Sequence, residues 1–317
     1  MINHFENFNQ LADNEISEIV KKRLLGVNTI VYAFDGSIFS NQNSTDGNNE
    51  IVSDSNISFE KLLNDMVMMC KHGIKTICYP MWNSSIDEFK RSSYNLKFLN
   101  SLKKFIELFD KESFVKLFKE VGIRINFYGD YKLLLKCGDG VESKLLEKFE
   151  MIMKQTKENI NHTILIGFNI EQPSETIINT IISYYNSNEN REPTTQDLIE
   201  HYYGVFVDPV SLYLGSGRFS TDGRPILISD KGNEDLYYTI CPHEFLSTTG
   251  FRKVLFDKLF CRSIANAKEY QLKIKDIKLM KEFYLKNCEN VMGVGNVNSA
   301  GNYWYPDPQV VLPNSDN

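Results

Sequence analysis

Two glycine-containing segments of the sequence carry side chains that could bind a phosphorylated ligand. In the first, Asp35, Gly36 and Ser37 directly follow an apolar run that ends at Phe34. A carboxylate at the end of a strand can hold a metal ion or a water molecule, and glycine lets backbone amides approach an anion closely. An Asp-Gly pair alone is also typical of an ordinary turn, so support must come from other strand ends.

The second segment, Gly215 to Thr221, provides that support. It places Arg218 between two glycines and the hydroxyls of Ser220 and Thr221. A guanidinium pairs bidentately with phosphate oxygens, and each hydroxyl donates one hydrogen bond, so the segment predicts a compact phosphate site. A tight turn with a surface arginine is the alternative interpretation.

The elements that must position these residues follow from the alternation of apolar runs with helical periodicity. Strands are predicted at 27–34, 76–79, 123–128, 163–168, 211–214, 225–229 and 236–241. Helices are predicted at 59–71, 96–109, 174–185 and 249–264, with another through Tyr203 that Thr195 caps. Strands separated by helices pair in parallel, which predicts an α/β fold with a central parallel sheet flanked by helices. Ligands bind outside the carboxyl ends of such strands.

Composition narrows the class of protein. The chain has 317 residues, of which 42% are hydrophobic, and no Pro-, Gly- or Ser-rich linker divides it. We therefore expect one domain at 27–295, preceded by an N-terminal segment, 1–26, and followed by a C-terminal tail, 296–317. A net charge of −6 argues against sequence-independent binding of nucleic acid.

The location of the protein and the state of its cysteines are also predicted from the sequence. No apolar run approaches the length of a membrane span, and no export segment is recognised, so we expect a cytoplasmic protein without a membrane span. The six cysteines show no C-x-x-C pair, and we expect reduced thiols in the core. The five histidines lack the spacing of zinc ligands.

Read in order, these segments resemble a known family. The motifs F-D-G at Phe34, F-Y-G-D at Phe127 and G-x-G-R-F-S-T at Gly215 occur in the order seen in the cis-prenyltransferases. Within that superfamily the sequence resembles the tuberculosinyl transferase branch, over about Val27 to Gly295 and most strongly over Glu192 to Arg262.

The resemblance implies a homodimer whose subunits each form one parallel sheet around an apolar tunnel for an isoprenoid tail. It implies that Asp35 is the catalytic carboxylate, acting directly or through Mg²⁺, and that Gly36 and Ser37 cradle the diphosphate. Arg218 and Ser220 match the second phosphate site of the family.

Aromatic and polar residues at other strand ends are further candidates. Ring faces stabilise an allylic cation, which makes Phe34, Phe127 and Tyr128 candidates, although residues at strand positions are commonly core. Trp82 and Asn83 follow the second predicted strand and could face the site, or could begin a capped helix.

The sequence departs from the family immediately after Asp35-Gly36. An arginine and a tryptophan normally follow there, but this chain has Ser37-Ile38-Phe39-Ser40 and no cation. Arg224 could substitute, or could be a surface arginine in a turn. The predicted activity is ionisation of an allylic isoprenoid diphosphate and transfer of the terpenyl group to a nucleophile such as a nucleoside. The alternatives are a terpene synthase, in which water captures the cation or the cation loses a proton, and a non-catalytic isoprenoid-binding or partner subunit.

Overall fold

The computed structural model of the chain describes residues 4–33, 55–83, 94–132, 142–217, 219–229, 234–262, 273–298, 303–307 and 310. The helices are α1 (Phe5–Asn9), α2 (Asp13–Arg23), α3 (Ser55–Lys71), α4 (Tyr94–Glu107), α5 (Glu112–Val121), α6 (Glu142–Thr156), α7 (Pro173–Ser187), α8 (Thr195–Tyr203), α9 (Thr248–Phe256) and α10 (Ile274–Lys286). The strands are β1 (Thr29–Tyr32), β2 (Thr76–Asn83), β3 (Ile123–Gly129), β4 (His162–Asn169), β5 (Val210–Ser216), β6 (Asp235–Thr239), β7 (Gly295–Asn298) and β8 (Tyr303–Pro306). Short 3-10 turns lie at Leu108–Asp110 and His243–Phe245, and a π-helical turn follows α9 at Asp257–Cys261.

Strands β1 to β6 form one sheet in the order β3-β4-β2-β1-β5-β6, and every neighbouring pair is parallel. β1 lies between β2 and β5, and its Ile30 pairs with Ile77 on one side and Leu212 on the other. The predicted α/β fold with a central parallel sheet is confirmed. Because all six strands run in the same direction, their carboxyl ends meet at one edge, which we call the carboxyl edge.

The predicted strand at 225–229 is wrong. Leu227 has a φ of 65°, in the left-handed region that interrupts an extended chain. The Ile228 amide donates to the Ile226 carbonyl at 2.8 Å, which closes a tight turn. The β-branched residues of this segment therefore belong to a loop rather than to a strand.

The sheet has apolar residues on both faces. Phe59, Leu102 and Phe149 are buried on one face, together with Phe8 and other residues of α1 and α2. The N-terminal segment therefore packs into the same core as the residues after position 27. The apolar cluster on the opposite face is smaller, and residues of β1, β5 and α8 make up much of it.

The cap of α8 lies one residue earlier than predicted. Thr194, rather than Thr195, is the N-cap, and its hydroxyl accepts from the Asp197 amide at 3.2 Å. The Thr194 amide in turn donates to the Asp197 carboxylate at 2.9 Å, which completes a capping box. Only the first threonine of the pair has an acidic residue three positions later, and this spacing selects it.

The cysteine prediction holds for only part of the described chain. Cys70 and Cys78 are buried free thiols, but Cys261 and Cys288 are exposed, so the expectation of core positions is wrong for these two. Cys261 ends the π-helical turn and Cys288 follows α10, a helix without a buried side chain. Among the described helices, none is both long and apolar enough to cross a membrane.

Candidate active site

Five of the predicted site residues lie outside the described residues: Phe34, Asp35, Gly36, Ser37 and Arg218. In the sequence, Asp35 comes three residues after Tyr32, the last residue of β1. Arg218 comes two residues after Ser216, the last residue of β5. β1 and β5 are adjacent strands, so the two predicted ionic residues follow neighbouring strand ends.

Three tyrosines hold the loop 219–229, which follows β5. Tyr238 donates to the Ser220 carbonyl at 2.8 Å, and Tyr213 donates to the Asp222 carbonyl at 2.9 Å. Tyr203, at the end of α8, donates to the Ile226 carbonyl at 2.6 Å. Burial raises the pKa of all three hydroxyls, so they remain protonated donors at neutral pH. We refer to 219–229 as the tyrosine-anchored loop.

The predicted hydroxyls Ser220 and Thr221 both lie on this loop. The Ser220 hydroxyl donates to the Asp222 carboxylate at 3.1 Å and is half-buried. Thr221 is exposed and lines a cavity of about 120 Å³ beside Arg224. A phosphate that bound Ser220 would have to replace Asp222 as the acceptor of its proton.

Arg224 forms an ion pair with Glu234. One guanidinium nitrogen, Nη2, lies 2.9 and 2.8 Å from the two carboxylate oxygens. The Glu234 side chain is only 6% exposed, so this cation compensates a buried charge. Nε and Nη1 of Arg224 make no hydrogen bond to the described residues. The predicted phosphate role of Arg224 therefore depends on these two remaining donor groups.

The end of β2 approaches the tyrosine-anchored loop. Gly223 packs so tightly on Pro80 that a Cβ at this position would lie 2.5 Å from the Pro80 Cβ. Asn83, two positions beyond Met81, is exposed at the same edge. Trp82 is half-buried, and its ring lies 4.6 Å from that of Phe98. The structure thus brings the β2 end and the predicted phosphate loop together.

The structure does not place Phe127 and Tyr128 with the residues at the β2 end and on the tyrosine-anchored loop. β3 is separated from β1 by β4 and β2, which corresponds to about 14 Å at the usual strand spacing. Phe127 stacks on Phe149 with ring centroids 3.8 Å apart, whereas Tyr128 faces the opposite side and packs against Tyr203 at 4.9 Å. Both are at least 96% buried. Their geometry supports the core interpretation over that of cation stabilisation.

Sequence reasoning missed a buried polar cluster near the β1 end. It consists of Tyr32, Lys61, Asp65 and His243, and Asp65 is only 5% exposed. One signal could have identified it: Asp65 shares the buried stripe of α3 with apolar residues such as Leu62. A charged residue at a core position of a helix needs a partner, and this requirement predicts a polar cluster.

The described residues do not form a magnesium site by themselves. They contain no group of three or more His, Cys, Asp or Glu side chains placed to share a metal ion. Nearby carboxylates already have partners, since Asp222 accepts from Ser220 and Glu234 binds Arg224. The predicted magnesium ligand, Asp35, lies outside the described residues.

The fold of the chain is similar to that of two solved enzyme structures. The fold resembles that of a probable undecaprenyl diphosphate synthase from Campylobacter jejuni, with a TM-score of 0.50, 13% identity, and coverage of 76% of this chain and 95% of that one. It also resembles lavandulyl diphosphate synthase from Lavandula x intermedia in complex with dimethylallyl diphosphate, with a TM-score of 0.54, 13% identity, and coverage of 74% and 95%. The chain therefore has the fold of the cis-prenyltransferase-like proteins.

Within that class, the sequence is similar to a particular transferase. It is 27% identical over 241 residues to tuberculosinyl adenosine transferase from Mycobacterium tuberculosis (strain CDC 1551 / Oshkosh). The alignment covers 76% of this chain and 78% of that protein. No family model matches the chain.

Proposed function

We propose that the protein transfers a prenyl or terpenyl group from an allylic isoprenoid diphosphate to a nucleophilic acceptor. The observation that carries this proposal is the similarity to tuberculosinyl adenosine transferase over about three quarters of both chains. The acceptor named in that relative is adenosine, so a nucleoside is the first acceptor to test.

The arrangement of strands supports a single diphosphate site. Asp35 and Arg218 follow the ends of two adjacent parallel strands, β1 and β5. Ser220 and Arg224 lie on the tyrosine-anchored loop that continues from β5. In open parallel sheets, ligands bind outside the carboxyl ends of strands, and these residues follow such strand ends in the sequence.

The proposed reaction needs few groups from the protein. The allylic C–O bond breaks heterolytically, and the diphosphate leaves with the electron pair. A lone pair of the acceptor then attacks the allylic cation, and the acceptor loses a proton if it carries one. Arg218 and the hydroxyl donors would stabilise the negative charge that develops on the leaving diphosphate. Asp35 would assist its departure.

The first test is product analysis with purified protein. Geranyl, farnesyl, geranylgeranyl and cyclic diterpenyl diphosphates are each incubated with Mg²⁺, with and without adenosine, and diphosphate and products are measured by mass spectrometry. An adenosine adduct supports transfer. A hydrocarbon or alcohol in either case would instead indicate a terpene synthase, and binding without turnover would favour the non-catalytic alternative.

The residue assignments are tested by two substitutions. Asp35→Asn is expected to abolish diphosphate release without loss of the fold, and Arg218→Ala to raise KM for the diphosphate about tenfold or more, since a charge-assisted contact is lost. Asp276→Asn and Arg191→Ala, at exposed positions on α10 and before α8, are the matched controls. Full activity in Asp35→Asn would refute the assigned role.

Assembly and metal dependence are further parts of the proposal. A homodimer is supported by the outward face of α7, where Ile178 and Ile182 are 56% and 52% exposed, while Thr176 and Thr180 face inward. Light scattering on the purified protein measures the mass in solution, and a monomer would contradict this part. Magnesium dependence is tested by adding a chelator and then restoring the ion.

A further inference from the structure

The helix α10 presents a row of apolar side chains to solvent. Ile274, Ile277, Tyr284 and Leu285 are 75, 44, 54 and 67% exposed. At 3.6 residues per turn they fall on one side of the helix, within an arc of about 100°. No side chain of α10 is buried. Single exposed apolar residues are common on protein surfaces, but a contiguous row of four marks an interaction surface.

The charges around this row are positive. Lys281 falls inside the arc, Lys278 borders it, and Lys273 directly precedes the helix. The acidic residues lie away from the arc: Asp276 is on the other side of the helix, and Glu282 pairs with the last lysine of α10 at 2.7 Å. The three lysines make no ion pair with another described residue. We refer to the four apolar residues and these three lysines as the α10 stripe.

The turn after α10 exposes further apolar side chains and reaches the candidate site. Val291 and Met292 are 63% and 96% exposed. A Cβ built on Gly293 would lie 3.7 Å from the ring of Phe219, the first residue of the tyrosine-anchored loop. The segment that begins with α10 therefore contacts the loop that carries Ser220.

The composition of the α10 stripe distinguishes between possible partners. In a twofold contact centred on α10 the same surface faces itself, so that lysines would lie opposite lysines. Nucleic acid matches the charge, but its phosphates are bound by polar and cationic groups and offer no partner for a row of aliphatic side chains. The exposed face of α7 differs, because Ile178 and Ile182 lie on a helix without lysine or arginine. That face suits a contact between copies, whereas the α10 stripe needs a partner that is both apolar and anionic.

We propose that the α10 stripe docks on the surface of an anionic lipid membrane. The 13-residue helix would lie in the plane of the interface, with its apolar row at the boundary between headgroups and acyl chains. The long apolar stem of Lys281 lets its ammonium group extend from inside the row to the lipid phosphates, and Lys278 reaches them from the side. Through the contact with Phe219, docking brings the candidate site close to the bilayer, in which an isoprenoid tail dissolves; only this consequence rests on the proposed function.

Vesicle flotation of the purified full-length protein tests the docking without any substrate. The vesicles contain phosphatidylcholine alone, or phosphatidylcholine with about one quarter phosphatidylglycerol, at about 0.1 M salt. We expect binding to the anionic vesicles, binding at least about tenfold weaker to the neutral ones, and release at about 1 M salt, where charges are screened within about 3 Å. No binding to anionic vesicles, or equal binding to both compositions, would overturn the proposal.

Substitution of the lysines tests the electrostatic part. Lys278→Gln combined with Lys281→Gln should weaken binding about twentyfold, since each lysine near an anionic surface contributes about fivefold. The matched control is Lys116→Gln combined with Lys119→Gln, which removes the same charge from exposed positions on α5 and should change binding by about twofold or less. Equal losses in the two double variants would mean that only net charge matters, and would overturn the assignment to α10.

Substitution of the apolar row tests the hydrophobic part. Ile277→Ser combined with Leu285→Ser should weaken vesicle binding about tenfold or more. The matched control is Leu25→Ser combined with Ile160→Ser, at positions 86% and 88% exposed before β1 and β4, and it should bind like the wild-type protein. Wild-type binding by the α10 variant would contradict the proposal.

Two further measurements keep this result interpretable. All four substituted apolar positions are exposed, so each variant should unfold at the wild-type temperature. Light scattering then compares the mass of the α10 variant in solution with that of the wild-type protein. An unchanged mass supports docking on lipid, whereas conversion of a dimer to a monomer would show that the stripe joins two copies of the chain, and would overturn the proposal.

Discussion

The turn at the end of β3 provides a quantitative test of the sheet geometry. Gly129 has a φ of 80°, and a Cβ at this position would lie 2.3 Å from the Phe168 carbonyl oxygen of the paired strand. That oxygen also accepts the Asp130 amide at 2.7 Å. Gly129→Ala therefore introduces two penalties, a strained backbone and a backbone collision that cannot be relieved without disturbing a hydrogen bond.

The two penalties can be separated because Gly26 carries only the first. Its φ is 75°, and nothing lies within 4 Å of a Cβ built there. A left-handed conformation costs an L-residue about 1–2 kcal/mol, partly offset because alanine has fewer unfolded conformations than glycine. We expect Gly26→Ala to lower the free energy of unfolding by about 1 kcal/mol. For Gly129→Ala, overpacking adds about 1–3 kcal/mol and the disturbed hydrogen bond about 1 kcal/mol, so a total loss of about 3 kcal/mol or more is expected.

Urea unfolding of both variants and the wild-type protein, followed by circular dichroism, measures these losses. The midpoints should shift without a change in the slope of free energy against urea, because neither substitution alters the surface exposed on unfolding. A loss in Gly129→Ala no larger than that in Gly26→Ala would mean that the carboxyl end of β3 relaxes at no cost. That result would refute the reasoning about the close approach of β3 and β4.

Two further stability predictions concern the core and a helix cap. Phe149 is fully buried and stacks on Phe127, so Phe149→Ala should lower the free energy of unfolding by about 3–5 kcal/mol, and a loss below about 1 kcal/mol in urea unfolding would contradict this packing. Thr194→Ala should lose about 1 kcal/mol through its bond to the Asp197 amide, whereas Thr195→Ala, its neighbour inside the helix, should lose markedly less. Equal losses for the two threonines in thermal unfolding would argue against the assigned cap.

Local patterns predicted the strands well where apolar runs were short and β-branched. The runs at 27–34, 76–79 and 123–128 contain or overlap strands β1, β2 and β3, and the helical periodicity at 59–71 lies within α3. The run at 225–229 has the same composition but forms a loop. Its position is decided by long-range contacts, including the bond from Tyr203 to the Ile226 carbonyl, which local composition does not encode.

The candidate site was predictable only in part. Residues that follow strand ends can be identified in the sequence, and this predicts Ser220 and Thr221, while Arg224 is predicted from its closeness to the same motif. The Arg224 ion pair with Glu234 joins residues ten positions apart, and helical spacing rules do not anticipate it. The tyrosine anchors were missed because a hydroxyl reaches a carbonyl only after α8, β5 and β6 have packed.

By itself, the sequence determined most strands of the central sheet and several of the helices, that the sheet is parallel, and which chemical groups follow its strand ends. These properties depend on periodicity and on the types of neighbouring residues, both of which are local. Only the tertiary structure decided that β1 lies beside β5 and far from β3, which separates Phe127 from the phosphate loop. It also decided that the Lys61 ammonium, paired with Asp65, reaches the carbonyl of the distant residue Leu246. Contacts between residues distant in sequence arise from the packing of complete elements, and no local pattern specifies them.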